Sequence, residues 1–151
     1  MDKPFTRWYC DVCGKVIEDA KEGYVIWEVT EDGKEYNFQI IHAGKCRKKV
    51  PFCSSSLTDF LGYDGLTHLL SFLTYGPIKI HLREKSRCTI NDFDGFVDFM
   101  RRVQTPFYEE ARRYFTNNKL LERHCDDNEI GPYMQATLKS IIEKYGEHKD
   151  E

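Results

Sequence analysis

No stretch of the 151 residues is apolar and long enough to cross a bilayer, and no fixed-period repeat, low-complexity tract or Pro/Ser-rich linker interrupts them. A membrane-spanning helix and a repeat array are thereby excluded. Excess positive charge is missing too: 22 Lys and Arg stand against 25 Asp and Glu, a formal net charge of -3 with a pI near 6.0. That balance lacks the basic character of a dedicated nucleic-acid binder and leaves room only for a local basic patch. The opening MDKPFTRWYC has no apolar signal-peptide core, so the expectation is a reducing cytoplasm. There, six cysteines read as metal ligands or buried thiols rather than as disulfides. No GxSxG, phosphate-loop, GxGxxG or HExxH pattern appears, so the common hydrolase, nucleotide and metalloprotease signatures are missing.

What is present is enough for a folded core: 40% of residues are hydrophobic and 14% aromatic. At this length roughly 70% of the unfolded chain's surface can be buried without a disulfide framework. Composition shifts near residue 57. Before it lie glycines, β-rich runs and four of the six cysteines; after it come stretches of helical periodicity. The first 53 residues carry nine charges of each sign, so the acidic excess belongs to the rest.

The run from Tyr24 to Val29, the turn signal Asp32-Gly33 and the run from Tyr36 to Ile41 predict a β-hairpin. A basic piece, Lys45 to Lys49, ends at Pro51, and Ser54 to Ser56 reads as a loop. Asp64 as N-cap, with Leu66, Leu69, Leu70 and Leu73 at helical spacing, predicts a helix stopped by Gly76-Pro77. Ile78, Ile80 and Leu82 alternate with Lys79 and His81, which predicts a half-buried strand able to join the hairpin. Thr89 with Asp92 approximates a capping box before the stripe Phe93, Phe96, Val97, Met100 and Val103. Pro106 at a first helical position opens a further helix with Phe107, Ala111, Tyr114 and Phe115 inward. A last helix from about Pro132 uses Met134, Leu138, Ile141, Ile142 and Tyr145, with Gly146 as its stop.

Chemistry concentrates at YCDVCGKVI. Two residues between Cys10 and Cys13 let both sulfurs reach one ion while backbone amides point at them, and Gly14 permits the tight turn. After the hairpin, His42 and Cys46 in IIHAGKC supply a second pair; Cys46 with Cys53 is the rival second pair, which would leave His42 free. His42 is favoured because HxxxC is the tighter local chelate. A Cys3His set of Cys10, Cys13, His42 and Cys46 closes a tetrahedron around one Zn²⁺, and four protein ligands make that a structural site without an open position for water. Cys53, Cys88 and Cys125 remain as candidates for small buried hydrophobes.

Lys45, Arg47, Lys48 and Lys49 beside the site are the candidate partner-binding residues. They would either track phosphates or offset the formal charge of three thiolates and one Zn²⁺. In the helical part, Arg101, Arg102, Arg112 and Arg113 cluster around the Thr105-Pro106 joint. Such a cluster could grip a phosphate or an acidic partner, but Asp98 four before Arg102, and Glu109 three and four before Arg112 and Arg113, explain most of it as ordinary intrahelical pairs. For catalysis, His124 and Cys125 are sequence neighbours and Cys88 has only His81 nearby, so no nucleophile has an evident base. Trp8 and Tyr9 precede the knuckle and are either core or an exposed platform.

A CxxC-glycine turn, a hairpin and a second ligand pair at a basic turn resemble the zinc-ribbon and treble-clef modules, over roughly residues 8 to 50. As a whole, the order of YCDVCG, GLTHLLSFL, PFYEEARRYF and NEIGPYM resembles an uncharacterised family of bacterial and phage-associated proteins, which implies such an origin and a single compact chain. The expectation is an α+β protein: a zinc-binding β-hairpin module over 1–56, with strand 78–82 as an optional addition, packed on four to five helices over 57–151. Its expected task is non-catalytic binding or regulation through a protein partner, with nucleic acid as the second candidate and no membrane. The alternative is a small enzyme whose cleft between hairpin and helices uses His124, Cys125 or His81.

Overall fold

Short knuckle turns and alternating strands organise the N-terminal part. In a computed structural model of the chain, residues 3–47, 52–83 and 87–146 are described. Strands β1 (Trp8–Tyr9) and β2 (Val16–Ile17) pair antiparallel across the CxxC turn. Strands β3 (Gly23–Val29) and β4 (Glu35–His42) form the expected hairpin, with Gly33 at φ +83° where an L side chain would be strained. A bulge beyond Ile26 places Asn37 at φ +57°, a conformation that asparagine tolerates, and leaves the rings of Trp27 and Phe38 stacked 5.5 Å apart.

The residues expected to form a loop at Ser54–Ser56 instead belong to β5 (Cys53–Ser56), which pairs antiparallel with β3 from Trp27↔Cys53 to Tyr24↔Ser56. Serines carry no strand signal of their own; the ladder offered by β3 decides their conformation. The sheet order is β4-β3-β5. Helices α1 (Gly62–Ser71) and α3 (Phe93–Gln104) cover one face, where Phe38, Phe60, Phe72, Phe96 and Phe99 surround Trp27 and one another. Helix α1 begins at Gly62 after Leu61, without the Asp64 cap. Gly65 lies so close to the Phe60 backbone that a Cβ would come within 2.1 Å of it.

The α+β class stands, but residues 78–82 are not a strand. They lie in α2 (Gly76–Arg83), with Ile78 77% and Leu82 73% exposed, and Gly76-Pro77 opens this helix instead of closing the previous one. In α3 the buried stripe is Phe96, Phe99, Arg102 and Val103, while Phe93 and Val97 face outward. Asp92 caps it through the Gly95 N–H. Helix α4 (Tyr108–Arg112) starts two residues after Pro106, behind a corner where Phe107 takes φ +64°. Helices α5 (Asn118–His124) and α6 (Gln135–Gly146) complete the chain, with Pro132 in a separate 3₁₀ turn and Met134 exposed ahead of α6. Tyr108, Ala111, Leu120, Leu138 and Ile141 form a second buried cluster there. No helix among the described residues is long and apolar enough to cross a membrane.

Candidate metal centre

The β1–β2 turn and the end of β4 deliver four donors to one point. Cys10 and Cys13 sit in the tight turn closed by Cys10 N–H to Lys15 O and Gly14 N–H to Cys10 O, with Gly14 at φ +72°. His42 is the last residue of β4, and Cys46 follows in the next turn, where Gly44 takes φ +84°. The ligating atoms of Cys10, Cys13, His42 and Cys46 all lie within 4.8 Å of one another. Cys13 Sγ is 3.4 Å and Cys46 Sγ 3.7 Å from His42 Nδ1. A tetrahedral zinc with Zn–S of about 2.3 Å and Zn–N of about 2.1 Å has S-to-N edges of about 3.6 Å, and the two S-to-N distances here fall within about 0.2 Å of that.

The imidazole is oriented from behind. Val16 O, which only accepts, lies 3.0 Å from His42 Nε2, so Nε2 carries a proton and Nδ1 is the nitrogen that faces the sulfurs. A carbonyl on the second nitrogen is how metal-binding histidines are held. Burial raises the Cys10 thiol, but the N–H groups of Cys13, His42 and Val12 outweigh it and bring the thiol down to about 6. Burial together with the neighbouring Cys10 and Cys13 sulfurs pushes Cys46 up to about 11. Donor type, spacing and ring orientation all fit a metal ion. Cys53 belongs to β5 and is not among the four; Cys53, Cys88 and Cys125 are exposed, not buried as small hydrophobes.

The knuckle is fastened to the helices by a buried arginine. Arg102, 2% exposed, donates Nε and Nη2 to the two oxygens of Glu109 at 2.7 and 2.8 Å, Nη1 to Asp11 Oδ2 at 2.6 Å, and Nη2 to Tyr9 O at 3.1 Å. Burial works against its charge, but Glu109 and Asp11 overcome that and raise its pKa further. Asp11, between the two cysteines, also accepts from Ile40 N–H at 2.7 Å and donates its own N–H to Ile40 O at 2.8 Å. Glu109 accepts from Tyr9 N–H at 3.0 Å, and Trp8 Nε1 donates to Arg102 O at 3.1 Å. The expected intrahelical pairs therefore give way to crossed ones: Arg102 binds Glu109, while Asp98 binds Arg112 at 2.9 Å.

Other candidates fall elsewhere. Trp8 is fully buried, which removes it from any exposed platform, and Arg113 lies 4.0 Å over the Tyr9 ring. Lys45 and Arg47 are exposed beside the centre; Lys48 and Lys49 lie outside the described residues. Arg47 sits over the Phe52 ring at the mouth of a cleft of about 280 Å³, which Tyr24, Ile26, Ile41 and His42 also line. His124 pairs with Asp127 at 2.6 Å and lines, with Cys125 and Tyr133, a cavity of about 260 Å³ between α5 and α6, not one between hairpin and helices. Among the described residues Cys125 has no hydrogen-bonded base, and His81 is exposed on α2. Compared with known proteins, the chain matches no family model, no curated protein and no solved structure.

Proposed function

We propose that this is a zinc-containing binding protein, non-catalytic, in which Cys10, Cys13, His42 and Cys46 hold one structural Zn²⁺ in a zinc-ribbon-like or treble-clef-like module. The observation that carries the reading is the closed donor set: three sulfurs and an Nδ1 already aimed at them, with protein atoms for all four positions of a tetrahedron. A hydrolytic zinc needs one of those positions for water. Lys45 and Arg47 stand exposed beside the centre and offer a basic rim next to a cleft of mixed polar and apolar lining; Lys48 and Lys49 follow them in the sequence. A protein partner suits a chain of net charge -3 better than a nucleic acid does.

Native mass spectrometry of protein purified without chelator tests the centre. One zinc per chain is expected in the wild type, with loss or weakening in Cys10→Ser and in His42→Ala; metal-free reduced wild type would overturn the reading. Replacing Lys45, Arg47, Lys48 and Lys49 together by Gln tests the rim. Weaker nucleic-acid binding with a flatter salt dependence in that variant would assign the rim to phosphates; an unchanged salt slope would remove the nucleic-acid version and leave protein as the occupant.

A further inference from the structure

We propose that Arg102 is the positioning residue of the metal knuckle and that it joins occupancy of the centre to the docking of α4, nearly a hundred residues away in sequence. The inference rests on the metal reading above. Its basis is that one guanidinium touches both sides of the link. Towards the knuckle it holds the Asp11 carboxylate and the Tyr9 carbonyl, which flank Cys10; towards α4 it holds both oxygens of Glu109. Glu109 in turn takes the Tyr9 N–H, so α4 grips the strand leading into Cys10 directly as well.

The geometry leaves little slack. Arg102 and Glu109 are 2% and 5% exposed, so neither charge can turn to water if the other moves. Asp11 Oδ2 is shared between Arg102 and the Ile40 N–H, two residues before His42 in β4. The same carboxylate thus fixes the first ligand pair relative to the strand that carries the third ligand. Partners hydrogen-bonded directly to a metal's ligands typically change its affinity by about 10–100-fold when lost; Arg102 stands one residue removed, on Tyr9 and Asp11 either side of Cys10, so the low end of that range applies. A coupling of this kind is reciprocal: whatever factor the Arg102 contacts add to metal affinity, the metal adds to the stability of those contacts.

The molecule supplies its own control. Asp98 and Arg112 also bridge α3 and α4, through bonds of 2.9–3.2 Å, but neither touches the knuckle among the described residues. Breaking that pair loosens the same helix junction without reaching Asp11 or Tyr9.

The test measures zinc affinity of the full chain by competition with a chromophoric chelator, with zinc alone as the probe. Arg102→Lys keeps the charge and loses the fork; Glu109→Gln keeps oxygen for Tyr9 N–H and loses the charge. Both are expected to weaken zinc binding about 10-fold or more, with Asp98→Asn within about twofold of wild type. Hydrogen exchange adds a second readout: zinc is expected to slow amide exchange at Tyr9 and in α4 of the wild type, and to do so far less in either variant. Folded Arg102→Lys or Glu109→Gln protein binding zinc as tightly as wild type would overturn the inference while leaving the centre intact. An equal loss in Asp98→Asn would overturn it too, by assigning the effect to the helix junction at large. Absence of zinc from the wild type itself would overturn both this and the metal reading.

Discussion

The two buried clusters of the molecule are unequal, and the inequality shows what each depends on. Among the described residues the first gathers 18, chiefly from the knuckle, the sheet, the Leu57–Phe60 turn, α1 and α3, with Trp27 and five phenylalanines packed edge to face and in stacks. The second has five, drawn from α4, α5 and α6, and its aromatic partners Tyr114, Phe115, Tyr133 and Tyr145 are only partly buried. Short helices with so small a shared core are marginal by themselves. The second cluster therefore relies on α4 being held to α3, by the crossed pairs Arg102–Glu109 and Asp98–Arg112. Those bonds also hold the corner at Phe107, whose positive φ costs about 1–3 kcal/mol for a bulky residue.

The comparison breaks most visibly when one buried side chain is removed from each side. Phe99 is 1% exposed, stacked 5.3 Å from Phe38 and edge-to-face with Phe60 at 5.2 Å; Phe99→Ala is expected to cost about 3–5 kcal/mol and to lower protection against exchange throughout the sheet. Leu138 is fully buried, and Leu138→Ala is expected to cost about 2–3 kcal/mol locally. Its amides in α5 and α6 should exchange faster while β3 and β4 stay protected. Hydrogen exchange on both variants decides the matter: sheet protection lost in Leu138→Ala would mean that the two clusters unfold as one.

A step down in size is the exposed member of the crossed pairs. Burial raises the Asp98 carboxyl, but hydrogen bonds from Arg112 and Tyr108 outweigh it and hold the pKa below its ordinary 3.8. A depressed carboxyl stabilises the fold fully above the unfolded value and loses that contribution as pH falls through the folded one. The side chains are about a third exposed, so Asp98→Asn is expected to cost only about 1 kcal/mol at pH 7. The difference between variant and wild type should shrink below about pH 3.8. Urea unfolding at pH 7 and pH 3 measures it; a difference independent of pH would show that packing of Tyr108 rather than charge carries the effect.

What could be read in the sequence follows the same division. The hairpin was legible because alternation and Asp32-Gly33 act locally, and the grouping of Cys10, Cys13, His42 and Cys46, which could hold a metal, because CxxC and HxxxC are each short-range pairs. Residues 78–82 misled because five residues satisfy both periods: Ile78, Ile80 and Leu82 alternate as in a strand, while Ile78 and Leu82 also share a helix face. Pro77 at the first turn favours the helix. Arg102 was hidden for a different reason. Asp98 at i−4 offers a local partner that explains the charge completely, whereas the partners it takes are Glu109, beyond a corner, and Asp11, 91 residues away. Burial of a charge by remote groups leaves no local signature in a single sequence. The same holds for β5, whose serines are a strand only because β3 has a free edge.

The smallest expected effect separates contact from burial. Arg113 lies beside Arg102 in function as well as in space: each reaches from the helices to Tyr9, one to the carbonyl and the other to the ring and hydroxyl. Arg113 is exposed, so water can replace what its removal takes away, and a cation over a tyrosine face at such a site contributes about 0.5–1 kcal/mol. Arg113→Gln should therefore lower stability by no more than that and leave zinc affinity within about twofold, although it strips a bond of 3.0 Å from the same residue that Arg102 holds. Zinc titration of Arg113→Gln beside Arg102→Lys measures the contrast directly. A loss in Arg113→Gln as large as in Arg102→Lys would mean that Tyr9's side chain, rather than the buried charges behind its backbone, sets the knuckle.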